Sequence, residues 1–491
     1  MNANPYLALG VRPFINCCSV RTMHGGSLML PQVRAAMAEA ARHFVNLDEL
    51  MEAAGRRIAE LTGAEWGLVT CGSAAAVALA TAACVAGNDP VRMLRLPFTE
   101  GMTNRVVIPK NQRFAYDQAV RMVGTHMIEI DGRAALERAL AEPVAMVVLL
   151  GKEEAQGPLR LEEIAERVKP LRIPILVDAA SEHIERPSPW LARGADLVVY
   201  SGGKFLRGPQ TSGLLLGSKA LVTAAWRNAS PHQAFGRPMK VSKEDVIGVL
   251  TALEYWFGER DAAAERRRWY DDLDILARRV RRLPGVETEI LDPAGVDRVP
   301  RLLVSWDRAR YPIDGLTLRQ KLLDGEPRIV LDDNSAGPEA IAIDPFNLEP
   351  GEAALVGAAL AAALGRLDRG APEAAVAPLR DLAGEWRVEV AFLHGRRVHD
   401  VSLRQDGERL SGRQRSAQFE GPVLGEIRSD EVRFAFDGHY EGTRISYRFS
   451  GRAGDGAMQG EVALGAAGPQ NQGIVNLTQF GTGTWQAHRM A

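Results

Sequence analysis

The sequence predicts an α/β protein with a mainly parallel sheet covered by helices on both faces, followed by a separate all-β domain. Three observations carry this expectation. Apolar runs of β character alternate with helical patterns through the first half of the chain. A stretch rich in Pro and Ala, Arg369 to Pro378, reads as a linker. Beyond it, polar/apolar alternation at period two replaces helical periodicity.

In order, strands are expected at Gly67–Cys71, Val144–Leu150, Ile175–Val177 and Leu197–Ser201, each a short apolar run. Helices are expected at Leu28–Ala41, Asp48–Leu61, Ala74–Val85 and Leu161–Pro170, and a further strand ends at Gly217. From Ser242 to Arg282 the chain reads as helical and rich in charge, leading into a small α+β domain. Its strands are expected at Arg301–Trp306, Arg328–Asp332 and Ala340–Ile343, with a helix from Glu352 to Leu367. The expected division is an N-terminal arm (residues 1–20), a large domain (21–239), a small α+β domain (240–366), a linker (367–378) and a C-terminal antiparallel β domain (379–491). That last domain has strand patterns at Trp386–Leu393, Arg397–Gln405, Glu431–Phe436, Arg444–Ser450, Met458–Leu464 and Thr484–His488. A sandwich or a lipocalin-like barrel accommodates them. Its histidines, His394, His399, His439 and His488, are scattered and are expected at the surface.

With 491 residues the chain has ample core for several domains. The net charge of −2 gives no basic face of the kind nucleic-acid binding needs. No run has the apolar length of a membrane span, and the first residues lack the basic-then-apolar order of a secretory signal. Cys17, Cys18, Cys71 and Cys84 suit neither a zinc site nor a disulfide framework. A cytoplasmic protein with reduced thiols and no bound metal is the expectation.

The chemistry concentrates on strand ends. Lys204 follows the apolar run Leu197–Ser201 inside a glycine-rich turn, Ser201-Gly202-Gly203-Lys204, where small neighbours leave room for a bulky ring. An amine so placed suits a Schiff-base lysine, though a lone lysine in such a turn is more often a surface residue. Upstream, Pro174 to Ala180 is an apolar run ending in the carboxylate Asp178. A pyridoxal cofactor needs an anion beside its ring nitrogen, and ligands of open α/β sheets bind beyond the carboxyl ends of the strands. Gly72, Ser73 and Ala74 are expected to open an alanine-rich helix whose free N–H groups suit a phosphate, with Ser201 and Gly202 as added donors. A serine there can also be simply an N-cap.

Residues 11–364 resemble the selenocysteine-synthase-related branch of fold-type-I pyridoxal-phosphate enzymes, most of all the D-glucosaminate-6-phosphate ammonia-lyase-like proteins. The segments Gly25–Met29, Phe44–Leu50, Leu61–Glu65, Cys71–Ala76, Tyr116–Arg121, Val177–Ala180, Ser201–Lys204, Gly208–Gln210 and Gly236–Lys240 carry the resemblance. It implies an aspartate aminotransferase-like large domain, pyridoxal 5'-phosphate as cofactor, Lys204 as the residue that holds it, and Asp178 as partner of the pyridine nitrogen. It places Gly72, Ser73 and Ser201 near the phosphate. It also implies a homodimer or larger homo-oligomer, with Arg237 and Lys240 as cations reaching the partner subunit's phosphate; an ordinary basic face is the alternative for these two. Relatives often carry a histidine near positions 112–113 that could stack on the cofactor; this chain has Gln112 there, which is expected among the cofactor-binding residues. The family resemblance stops before the C-terminal β domain.

The reaction expected is that of a lyase on a small amino acid: α-proton abstraction by the Lys204 amine, β-elimination, and release of a 2-oxo acid and ammonia. Racemisation, aldol cleavage and β-substitution share the same early carbanion and stay open as alternatives. A non-catalytic binding protein on the same fold is the other class. Arg21, Arg113, Arg207 and Arg301 are candidates for holding the substrate carboxylate.

Overall fold

A computed structural model describes residues 4–294, 298–368, 380–393, 395–467, 474–476 and 479–490. The chain divides into two compact units. One comprises Met1–Ser305, Arg319–Asp332 and Ala342–Ala363; the other comprises Trp306–Leu318, Asp333–Ile341 and Leu364–Ala491. Most of the expected linker, and His394, lie outside the described residues.

The first unit is built on seven strands: Trp66–Thr70 (β1), Arg105–Pro109 (β2), His126–Ile130 (β3), Met146–Leu150 (β4), Ile175–Asp178 (β5), Leu197–Ser201 (β6) and Gly213–Gly217 (β7). Their order across the sheet is β1-β7-β6-β5-β4-β2-β3. Pairing is parallel from β6 to β3, and β7 runs antiparallel to both β6 and β1. β4 and β5 are buried throughout, as strands covered on both faces must be, and this is why they read as unbroken apolar runs. The strands β2 and β3 escape a sequence reading because one ends in a proline and the other carries His126 and Glu129.

Helices close both faces around one apolar core. The helix Leu47–Thr62 starts where the Asn46 side chain accepts from the N–H groups of Asp48 and Glu49, at 2.9 and 3.2 Å, and stops at Gly63 in the left-handed region. The helix Ser73–Ala86 packs against β7, β6 and the helix Lys219–Asn228; its run of alanines lets backbones approach closely. The charged stretch after Ser242 is helical as expected, in two helices, Lys243–Gly258 and Ala262–Val280. The short strand Ile15–Cys17 pairs in parallel with Ile329–Leu331, so the N-terminal segment is tied to residues some three hundred positions away. The expected strands Arg301–Trp306 and Ala340–Ile343 form a three-stranded sheet with Val286–Leu291.

The second unit contains a closed antiparallel barrel of eight strands. Gly384–Phe392, Gly395–Asp406, Arg409–Arg415, Glu420–Arg428, Glu431–Tyr440, Thr443–Ala453 and Ala457–Ala467 follow one another in space, and Thr482–Arg489 bridges the first strand and Ala457–Ala467. Pairing of Thr443–Ala453 with Ala457–Ala467 completes the ring, with Ile474–Asn476 appended. Closure removes the exposed edges that a sandwich would leave. Alternate residues point inward, among them Trp386, Val388 and Val390, and they meet Phe434, Phe449 and Trp485 in a packed core. Phe434 and Phe449 stack at 4.4 Å, and Trp485 meets both edge-on. The strands Arg409–Arg415 and Glu420–Arg428 were not expected, because Gly412, Gly421, Pro422 and Gly425 interrupt the alternation. One expectation is corrected: His399 is not on the surface but 1% exposed, hydrogen-bonded through Nδ1 to the Gln414 amide oxygen at 3.1 Å and ringed by Phe419, Phe436 and Tyr447. His439 and His488 are exposed as expected.

Two substitutions test this packing. A Cβ at Gly213 would stand 2.3 Å from the Gly72 carbonyl carbon and 2.5 Å from the Ser73 nitrogen, both backbone atoms that cannot swing aside. Gly213→Ala is therefore expected to destabilise the first unit by at least about 1–3 kcal/mol in denaturant titration. Trp386 is wholly buried and donates its indole N–H to the Leu382 carbonyl at 2.9 Å. Trp386→Ala should cost the barrel about 3–5 kcal/mol, read as an earlier unfolding transition by near-ultraviolet circular dichroism.

Candidate active site

The carboxyl ends of β4, β5 and β6 and the turn after β1 meet at one rim of the sheet. At the tip of β5, Asp178 is 7% exposed, opposite Leu150 of β4 and Val199 of β6 in register. Its Oδ1 accepts from the Ala180 N–H at 3.0 Å, and no cation of the described residues lies within ion-pair distance of it. Burial pushes the carboxyl up; the Ala180 N–H and then the charges of Lys204 and Lys152 oppose that shift. Lys204 lies in the turn between β6 and β7. Burial pushes its amine down, Asp178 pulls it back up, and Lys152 lowers it further.

The Lys204 turn is over-determined. Gly202 N–H donates to Ser212 O at 2.9 Å, Gly208 N–H to Gly202 O at 2.8 Å, and Arg207 N–H to Lys204 O at 3.0 Å. Ser27 reaches in from the N-terminal segment: its N–H and hydroxyl both bond Gly203 O at 3.1 Å, and the hydroxyl bonds Lys204 O at 2.6 Å. Glycine is required at 203, where a Cβ would lie 2.3 Å from the Gln210 Cα. The lysine side chain is thus aimed by its own backbone.

Gly72 takes φ 99° and is the N-cap of Ser73–Ala86, a helix that receives no side-chain cap. Ser73 is its first helical residue rather than the cap. A Cβ on Gly72 would meet no protein atom within 4 Å, so this face of the turn is open beside uncapped N–H groups. Ala74 is exposed on the same turn, and Ser201 ends β6 with Gly202 following it in the turn that carries the lysine. A buried anion without an ion-pair partner, a desolvated lysine, and an open helix N-terminus match the three charged or reactive parts of pyridoxal phosphate: ring nitrogen, aldehyde and phosphate.

The four arginines separate clearly. Arg113 is committed, its Nε on Asp117 at 2.5 Å and its Nη1 on Glu129 at 2.5 Å. Arg207 adopts φ 56° and donates from Nε to Leu28 O at 3.0 Å. Arg21 and Arg301 converge on buried Asp332, at 3.0 and 3.4 Å, and Arg301 also stands 3.7 Å from buried Asp344. Gln112 is fully buried; its Oε1 accepts from Leu150 N–H at 2.8 Å, which makes it a brace for the end of β4. Arg237 and Lys240 are exposed on the loop before Lys243–Gly258, Arg237 donating to Ser230 Oγ at 3.2 Å.

Four residues were given no role by sequence reading. Lys152, two positions past β4, acts electrostatically on both Asp178 and Lys204. Tyr116 has its hydroxyl pushed up by burial and by Asp178, although much of its ring is exposed. Glu182 and His183 follow Asp178 on the loop after β5. Burial, then Arg260 and Arg298, hold His183 near 3, so it is neutral; its ring packs edge-on against Phe205, the neighbour of Lys204, at 4.7 Å. The available signal was position alone: each lies within five residues of a strand end or in a quoted motif.

No family model matches the chain. D-glucosaminate-6-phosphate ammonia lyase of Salmonella typhimurium is 30% identical over 372 residues, 73% of this chain and 98% of that protein. The 5'-C-glycyluridine monooxygenase-decarboxylase of a Streptomyces species is 32% identical over 368 residues, 72% of this chain and 90% of that protein. A solved structure of D-glucosaminate-6-phosphate ammonia-lyase superimposes with a TM-score of 0.67 at 28% identity, covering 75% of this chain and all of that one. None of the described helices is long and apolar enough to cross a membrane. Sequence, fold and the composition of the rim agree: the chain belongs to the D-glucosaminate-6-phosphate ammonia-lyase family, in the selenocysteine-synthase-related branch of the fold-type-I pyridoxal-phosphate enzymes.

Proposed function

We propose that the protein is an ammonia-lyase acting on a small 2-amino acid with a hydroxyl at C3, a class that includes amino sugar acids. The observation that carries this is the desolvated Lys204 amine held beside Asp178 at the carboxyl rim of the sheet. Pyridoxal phosphate, when bound, supplies an electron sink for the pair released at Cα. The N–H groups opening Ser73–Ala86, with Ser201, would hold its phosphate, and Asp178 would keep its ring nitrogen protonated. Tyr116, with its exposed ring near Asp178, supplies the stacking face that Gln112 does not.

Burial lowers the proton affinity of the Lys204 amine, which favours its nitrogen as the acceptor of the α-proton. The C3–O bond then breaks, and the hydroxyl takes the proton from the Lys204 ammonium and leaves as water. Water adds where nitrogen was attached, ammonia departs, and a 2-oxo acid remains. Arg301, backed by Asp332 and Asp344, and Arg21 hold the substrate carboxylate; their buried carboxylates fix the two guanidinium groups. The protein works as a homodimer in this reading, Arg237 and Lys240 being exposed and able to serve a neighbouring subunit's phosphate. The C-terminal barrel is accessory.

A second reading has a specific support: the Streptomyces relative, named for an oxygen-dependent decarboxylation, is as similar as the ammonia-lyase. Carbon dioxide release with oxygen uptake would favour it. Ammonia and 2-oxo acid in equal amounts, without oxygen uptake, are expected instead. Lys204→Ala should abolish turnover and the visible absorbance of the bound cofactor. Arg301→Ala should lower kcat/KM about 10- to 100-fold, mainly through KM, since hydrogen bonds to charged groups are worth about 1.5–3 kcal/mol.

A further inference from the structure

Glu182 is a buried carboxyl that the mechanism above does not use. Its backbone N–H donates to Ala179 O at 3.0 Å, folding the loop after β5 back toward Asp178. The indole N–H of Trp190 donates to Oε2 at 2.9 Å. Oε1 is buried and has no hydrogen-bond partner. Gly151, between the end of β4 and Lys152, has no room for a side chain: a Cβ there would lie 2.2 Å from Oε1 and 2.9 Å from the Trp190 ring. Glu182 is thus wedged against the strand end that pairs with Asp178, four residues from it in sequence.

We infer that Glu182 is a positioning residue of the cofactor site, acting through Asp178 on the charge of the groups that Asp178 faces. The inference rests on the proposed cofactor site but goes beyond it. Burial pushes the Glu182 carboxyl up to about 7; the Trp190 N–H opposes, Asp178 adds, Arg298 opposes and Glu185 adds. The other groups facing this region are the Tyr200 hydroxyl, held protonated by burial, and neutral His183. Lys152 flanks Gly151, and Arg193 covers the outer face of Trp190 while paired with Glu154 and Glu162. The sign follows. Below neutrality Glu182 is uncharged and adds no charge beside Asp178. Above it, a second negative charge beside Asp178 raises proton affinity at Lys204 and at the ring nitrogen.

The test is the pH titration of the visible absorbance of the wild-type and Glu182→Gln holoenzymes. Glutamine keeps an acceptor for Trp190 and removes the charge, so the midpoint should fall by about 0.5–1 pH unit at unchanged cofactor content. A curve that superimposes on wild type, or a wild-type spectrum flat across neutral pH, overturns the inference. Should Glu182→Gln fail to fold, Trp190→Phe serves instead. Loss of the indole N–H keeps Glu182 protonated to higher pH, so a smaller shift in the same direction is expected, and no shift overturns the inference. A wild-type protein with no visible absorbance would sink the cofactor site itself, whereas an unmoved midpoint in a coloured enzyme sinks only the role of Glu182.

Discussion

A carboxyl and an amine, Asp178 and Lys204, are held out of water at the rim of one sheet, close enough to act on each other, yet not as an ion pair. Each is costly alone, since burial disfavours both charged forms. The arrangement is sustained because the backbone leaves neither group an alternative. Asp178 ends a strand buried on both faces, and Lys204 follows another, in a turn closed by three internal hydrogen bonds and clamped by Ser27. In the proposed site, a cofactor bringing a protonated ring nitrogen to one and an aldehyde to the other would relieve both costs at once. Affinity and reactivity then have a common origin in desolvation.

The sheet explains why the other parts arrive at the same place. The parallel strands β4, β5 and β6 deliver Lys152, Asp178 and Lys204 to one rim, as open α/β sheets do. The antiparallel pair β1 and β7 brings the Gly72 turn against Gly213, so the helix start needs glycine on the facing strand. The two-stranded pairing of Ile15–Cys17 with Ile329–Leu331 places Arg21 on Asp332, where Arg301 also converges. The two cations proposed to bind substrate are therefore fixed by long-range pairing rather than by a local motif.

What the sequence disclosed follows from this. Asp178, at the end of one apolar run, and Lys204, three residues beyond another, stood out as candidates because strand ends are where ligands bind in this fold. The helix at Ser73 was legible from its alanines. Ranking the arginines was not, because Arg113 is consumed by Glu129 on another strand and Arg301 is supported by Asp332 and Asp344, none of which is near in sequence. Glu182 was equally hidden: its burial depends on Trp190 and on the missing side chain at Gly151. In the barrel, strands with regular alternation were found, whereas Arg409–Arg415 buries the polar Gln414 as partner to His399 and so breaks the pattern being sought.

Reduction of the purified holoenzyme with borohydride, followed by peptide mass mapping, tests the central assignment most directly. The account predicts the reduced pyridoxyl-phosphate adduct on the peptide containing Lys204 and nowhere else. An adduct on Lys152 or another lysine, or none at all, would contradict it.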